Sequence, residues 1–246
     1  MKSSRALAQR IMLGGVLSAA LLATAVALPA VASATSSAVV FNPANFGRDA
    51  IDNKWFPLTP GTTLVYKGTK DGRKATDIFH VSHRRRMIDG VSCVAVEDTL
   101  TLNGRIGEKT TDWYAQDVHG NVWYMGERTA EYDRLGNVVS TEGSWQAGVD
   151  GAEPGVFMPS HPHVGDTFRQ EFFPGHAEDH FRVMSLDASV SAPYQSFTGT
   201  LRSREWTPLE PGVRDAKYYV AGIGEVKEVT VRGPLEELNL VQIIHG

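Results

Sequence analysis

Four of the chain's eight histidines fall between residues 161 and 180, in the stretch HPHVGDTFRQEFFPGHAEDH. His161 and His163 are one residue apart. On an extended strand both side chains leave by the same face, although Pro162 moves them to a strand edge or a loop. His176 and His180 are four apart and share a face on a strand or a helix. Imidazole nitrogens with a carboxylate oxygen suit a borderline-soft divalent metal. The expected ligand set is His161, His163, His176, His180 and Glu178, with zinc, copper or nickel as the ion. The turn Phe173-Pro174-Gly175 would fold the two pairs together. The plainer reading of the same residues is a polar strand edge, because the spacing is not His-Glu-x-x-His and no general base is placed beside a helical pair.

A second chemistry-bearing set is aromatic. Trp113, Tyr114, Trp123, Tyr124, Trp145 and Trp206 could line an apolar or carbohydrate-facing cavity. Strand alternation sends one member of Trp113-Tyr114 and one of Trp123-Tyr124 inward and the other outward. Outward aromatics beside polar groups would serve recognition, whereas full burial would serve the core. Glu142 and Asp150 flank Trp145, and an aromatic platform with two carboxylates is the arrangement that glycoside cleavage needs. No serine lies in a Gly-x-Ser-x-Gly frame, so a serine nucleophile is not indicated. Cys93, the single cysteine, sits in the apolar run GVSCVAV and reads as a small core residue. His83-Arg84-Arg85-Arg86 reads as a solvated turn with some capacity to contact an anion.

These side chains have to be positioned by strands. After residue 50, short apolar and β-branched runs alternate with Gly, Asp, Asn and Pro turns. Residues 62–66 follow Pro60-Gly61, residues 78–81 follow Asp71-Gly72, and the long run 91–102 ends at Gly104. The stretch DWYAQDVHGNVWYMGE predicts a hairpin turning at residues 117–120. The later half echoes this grammar. LTPGTTLVYKG is matched by HPHVGDTFRQE, and Gly61 and Gly165, Gly120 and Gly224, and Val122 and Val226 are each 104 residues apart. The expectation is an all-β fold of antiparallel curved sheets or an open barrel. It occupies one compact domain over 51–246, with repeat units at 57–127 and 161–232.

The chain opens with three cations, Lys2, Arg5 and Arg10, then an apolar stretch from Ile11 to about Val26, then Ala32-Ser33-Ala34. This reads as a secretory signal over 1–34 with cleavage after Ala34, followed by a flexible or irregular lead-in at 35–50. Without the three signal cations, 21 basic residues face 28 acidic ones, a net charge of −7. That balance disfavours nucleic acid and anionic membranes as general partners. The expected location is secreted or extracytoplasmic, with no retained transmembrane segment.

The motifs IDNKWFPLTPGTTLVY, DWYAQDVHGNVWYMGE, STEGSWQAGVDGAEPG and EWTPLEPGV, in this order, give residues 50–232 a familiar pattern. The chain resembles a family of exported, β-rich bacterial proteins. The resemblance implies export and β architecture, and brings no reaction, cofactor or substrate class. The family pattern often has another residue in place of His180 and an acidic one in place of His119, which fits either an acquired metal preference or surface variation, and a histidine site is not implied by the resemblance. The leading functional expectation is an exported scaffold or binding module for a small molecule or a cell-envelope component, not an enzyme. A histidine-dependent metal-binding protein is the alternative, and a hydrolase is a further one.

Overall fold

The computed structural model describes residues 39–47 and 49–246. The signal segment 1–34 lies outside the described residues. Of the lead-in, the described residues 39–47, 49 and 50 are irregular around a 3-10 turn, Pro43–Asn45, whose cap Asn42 accepts a hydrogen bond from Ala44 N (3.0 Å). Phe41 and Phe46 lie against Trp123 at 5.3 and 6.2 Å between ring centroids, so residues 41–46 pack down on the domain.

The remaining regular structure among the described residues is strand. β1 (Thr63–Lys70), β2 (Arg73–Ile88), β3 (Val91–Leu102), β4 (Arg105–Gln116) and β5 (Val122–Tyr132) run up and down as a meander. The short strands β6 (Val138–Ser140), β7 (Trp145–Gln146), β8 (Glu153–Met158), β9 (Thr167–Arg169) and β10 (Glu171–Phe172) follow. A second meander is formed by β11 (His180–Ser191), β12 (Ser196–Trp206), β13 (Arg214–Val220), β14 (Gly224–Arg232) and β15 (Glu236–Ile244).

All fifteen strands belong to one antiparallel sheet, in the order β10-β8-β5-β4-β3-β2-β1-β15-β14-β13-β12-β11-β9, with β6 and β7 paired to β5. The meanders join where β1 pairs β15, from Thr63 opposite Ile244 to Lys70 opposite Glu236. The two ends of this order, β9 and β10, are separated only by Gln170. That crossing brings the free edges together, and the sheet becomes a nearly closed, strongly curved barrel with little unpaired edge. Gly155 of β8 lies under the crossing, where a Cβ would stand 2.3 Å from the Arg169 carbonyl oxygen. A side chain there would push the closing segment off. The all-β, antiparallel, barrel-like expectation therefore matches the fold.

The two turns that echo each other in sequence make the same bonds. Gly61 N donates to Val81 O (2.8 Å) and Val81 N to Thr62 O (2.9 Å). Gly165 N donates to Val183 O (2.9 Å) and Val183 N to Asp166 O (3.0 Å).

Alternation along the strands fills the barrel with Phe79, Val81, Val96, Phe181, Leu201, Tyr219 and Leu240, all buried. Each large apolar side chain contributes about 1.5–3 kcal/mol by leaving water. One end is stoppered by the segment IDNKWFPL. Phe56 enters the barrel and meets Phe79, Tyr114 and Phe157 at 6.1, 5.3 and 4.5 Å. Asn53 fastens this plug. Its backbone N donates to Gln116 Oε1 (2.9 Å), its Nδ2 to Gly120 O (2.9 Å) and Pro159 O (3.2 Å), and its Oδ1 accepts from Trp55 N and Phe56 N. The opposite end carries the β1–β2, β3–β4, β5–β6 and β14–β15 turns.

Candidate functional site

At this second end the inward residues Lys70, Leu100, Glu108, Glu131 and Glu236 are buried, and the rim above them is indented. The ends of β1–β5 surround a cleft of 630 Å³, a volume ordinary for a small-molecule site. Its wall is apolar, built from Leu100, Leu102, Ile106, Tyr132 and Val139. Arg73, Arg105 and Arg134 stand at its lip, one from each of three hairpins. Glu108 and Glu131 line it from the barrel side. The pattern of β4 explains the polar floor: Glu108, Thr110, Asp112, Tyr114 and Gln116 alternate onto the inner face. In register on β5 they meet Glu131, Thr129, Glu127, Tyr124 and Val122. Acid thus stands opposite acid at two levels, a pairing that destabilises a sheet when both are charged.

The interior relieves this with protons and hydroxyls. Tyr124 Oη lies 2.5 Å from Asp112 Oδ1 and 2.8 Å from Glu127 Oε2. The single phenol hydroxyl thus bridges the two carboxylates of this level. Thr110 and Thr129 join hydroxyls at 2.8 Å between the two acid levels. Across the barrel, Lys217 Nζ is ringed by Glu205 (3.3 Å), Glu225 (3.7 Å) and Glu228 (3.7 Å). Burial alone would lower the Lys217 pKa; Glu205, Glu228 and Glu225 outweigh it and hold the ammonium well above its ordinary value. Lys217 is therefore a buried cation, not a neutral amine available as nucleophile or base.

Beside Lys217 lies an enclosed cavity of 30 Å³, lined by Gln170, Glu171, Asp179, Glu205, Tyr114 and Tyr124. It has room for one or two waters and no organic substrate. The Gln170 Nε2 faces it without a protein acceptor. Glu171 donates nothing while ionised and accepts from Trp145 Nε1 (2.7 Å). Burial, then the neighbouring Asp179 and Glu127, push its pKa well above the usual carboxylate range. Burial and then Glu205 raise Asp179 to about 7, and burial and then Glu228 raise Asp215 to about 7.

The expected metal ligands do not come together. His161 Nδ1 meets Ser160 Oγ (3.0 Å), and His163 Nδ1 lies 3.4 Å from Asp166. His176 stacks on Phe173 (4.4 Å), while His180 stacks on Trp206 (5.4 Å) and turns Nδ1 to Glu178 O (2.9 Å). The Glu178 carboxylate caps Gly175 N (2.7 Å). Among the described residues no three His, Cys, Asp or Glu side chains are grouped to hold a metal ion. The four imidazoles lie against separate neighbours, Ser160, Asp166, Phe173 and Trp206.

Of the aromatic set, Trp113, Tyr114, Trp123, Tyr124 and Trp145 are buried and Trp206 is half-buried. Tyr114 and Tyr124 point inward and stack at 4.9 Å. Trp113 and Trp123 take the other face, as alternation requires, but that face is covered. The Arg86 guanidinium lies 4.4 Å over the Trp113 ring, and Phe41 and Phe46 cover Trp123. Trp145 is 5% exposed, so the Trp145–Asp150 depression presents no stacking platform for a sugar. The basic turn is a strand segment whose charges are met: Arg84 by Glu97, Arg85 by Asp49 and Arg86 by Trp113. Burial pushes the Cys93 thiol up to about 12, which suits a core residue.

The lip arginines were not singled out from the sequence. A signal existed: Asp-x-x-Gly-Asn occurs at 117–121 and again at 133–137, and the second copy carries Arg134 and Leu135 at its tip.

No family model matches the chain, and no curated protein is similar to it in sequence. Among solved structures, it is similar to a "putative exported protein with YmcC-like fold" from Bacteroides fragilis, with a TM-score of 0.43 and 14% identity over 78% of this chain and 99% of that one. It is also similar to a "putative lipoprotein" from Parabacteroides distasonis, with a TM-score of 0.42 and 12% identity over 78% of this chain and 100% of that one. Likenesses this distant decide neither fold nor function.

Proposed function

We propose that this protein is an exported binding barrel that holds a small molecule in its mouth cleft and performs no reaction on it. The observation that carries the proposal is the asymmetry of the barrel: one end is plugged by Phe56 and Asn53, and the other opens into a 630 Å³ cleft with apolar walls. Binding fits better than catalysis because Glu171, Asp179 and Lys217, buried titratable groups with displaced pKa values, line a cavity of only 30 Å³. The basic, apolar and Ala-Ser-Ala segments of the N-terminus support export. No helix among the described residues is long and apolar enough to cross a membrane.

The test uses a neutral apolar dye, Nile red, with the purified protein and its Ile106→Trp variant. Ile106 is 39% exposed on the cleft wall, so the larger ring fills the cleft without entering the core. Saturable dye binding lost in the variant, at unchanged melting temperature, is the expected result. Equal binding by both proteins, or none by either, would overturn the cleft as a ligand site.

A further inference from the structure

We infer that the ligand is an organic anion with an apolar body, its carboxylate, phosphate or sulfate held at the lip and its chain or ring laid on the wall. This deepens the binding proposal and rests on the cleft being the site. Arg105 Nη1 donates to the Arg134 carbonyl (3.3 Å), which latches one hairpin's cation to the neighbouring hairpin. Neither guanidinium meets a carboxylate among the described residues. Arg73 reaches the same lip from the β1–β2 turn. Its acidic contact, Asp71, lies at 3.6 Å, and its Nη2 is buried without a hydrogen-bond acceptor. Three guanidiniums thus line one opening. Guanidinium forks match carboxylate and phosphate oxygens in pairs.

The acidic groups of the cleft set the orientation. Asp133, beside Arg134, has its carboxylate occupied by its own turn: Leu135 N (2.8 Å), Asn137 N (2.9 Å) and Asn137 Nδ2 (3.1 Å) donate to it. Glu108 and Glu131 face each other on the barrel side. Lys70 pairs with Glu236 at 2.9 Å and also feels the charge of Glu108. Three guanidiniums against two lip carboxylates, Asp71 and Asp133, leave the lip net positive, with Glu108 and Glu131 deeper, so an anionic head is favoured outward. Apolar exposure occurs at the same place, with Leu135 87% and Val139 61% exposed next to the arginines. A head held by Arg73, Arg105 and Arg134 leaves its apolar body against Leu102, Ile106 and Val139.

The test is isothermal titration of the purified protein with decanoate, decanol and decyltrimethylammonium, each below its micelle concentration. Decanoate is expected to bind at least about tenfold tighter than either chain-matched analogue, a difference of about 1.4 kcal/mol. The double variant Arg105→Gln/Arg134→Gln should lose that advantage and keep Nile red binding. Decanol binding as tightly as decanoate, or decyltrimethylammonium binding tighter, overturns the anion assignment; retained Nile red binding that Ile106→Trp abolishes would then leave the cleft itself standing. Adhesion to phosphatidylglycerol vesicles without saturable decanoate binding overturns it in favour of a lipid surface.

Discussion

Strand β5 is bounded by two turns with the same residues at the same spacing, Asp117–Asn121 at the plugged end and Asp133–Asn137 at the open end. Their bonds coincide. The aspartate N donates to the asparagine O at 3.0 and 2.9 Å, and the glycine N to the aspartate O at 3.0 and 3.1 Å. Each carboxylate accepts the asparagine N at 2.9 Å, its Nδ2 at 3.0 or 3.1 Å, and the N of the intervening residue, His119 or Leu135, at 2.9 or 2.8 Å. Their surroundings do not coincide. Asp117 also accepts Trp123 Nε1 (2.9 Å), Val118 N is tied to Asn45 O (2.8 Å), and Gly120 O takes the plug's Asn53 Nδ2. The open-end turn has no such cover and presents Arg134 and Leu135 to solvent. One local sequence thus makes one backbone shape, and the residues packed around it decide whether that shape closes the barrel or forms the edge of a site.

The largest consequence falls on the two aspartates. Asp117→Ala strands the Trp123 indole N–H, the Asn121 amide and two backbone N–H groups in a buried place, and is expected to cost about 3 kcal/mol or more in urea unfolding. Asp133→Ala at the solvent-exposed turn should shift the midpoint far less. Equal losses would show that the turns are stabilised by their internal bonds alone.

The glycines come next. Gly120 and Gly136 hold φ of +87° and +86°. Gly136→Ala meets nothing within 4 Å and should cost about 1 kcal/mol for the left-handed backbone. Gly120→Ala brings its methyl 3.2 Å from Ser160 Cβ and should cost measurably more. Thermal unfolding of both variants checks the order.

Protonation separates the exposed turn from the interior in the opposite sense. Hydrogen bonds from Asn137 hold Asp133 below its ordinary pKa, so its contribution is present above about pH 4 and is lost as pH falls further. Asp179 and Asp215, raised to about 7, bind more protons in the folded state, so their contribution is present below about pH 4 and is lost as pH rises to about 7. The melting temperature should therefore be higher near pH 5 than near pH 8, and Asp179→Asn should flatten that difference. A melting temperature that rises toward pH 8 would contradict the protonated interior.

The smallest expected stability effect is at the lip. Arg134→Gln removes no bond of the turn, so its stability should stay within about 0.5 kcal/mol of wild type in the same unfolding assay, while decanoate affinity falls.

The fold was legible wherever a pattern was local. Gly and Asn turns, β-branched runs and the 104-residue echo pointed to antiparallel strands in a curved sheet, and the DVHGN turn was placed correctly. The closure at Gln170 was not legible, because β9 and β10 have only three and two residues and depend on Gly155 beneath them. The residues singled out for their chemistry were read by type, and type does not reveal surroundings. Histidines and tryptophans carry conspicuous chemistry, but Trp113, Trp123 and Trp145 were needed to cover the sheet, and the histidines to hold turns. Arg73, Arg105 and Arg134 are unremarkable in sequence, being 32 and 29 residues apart, and converge only because three hairpins end at one rim.

The central claim is that the open end binds ligand and the plugged end does not. Amide NMR of the purified protein titrated with decanoate compares the two turns of β5 directly. Saturable shifts at residues 102–107 and 133–139, with residues 117–121 unmoved, is the predicted result. Shifts confined to 117–121, or no saturable shift at either turn, would contradict it.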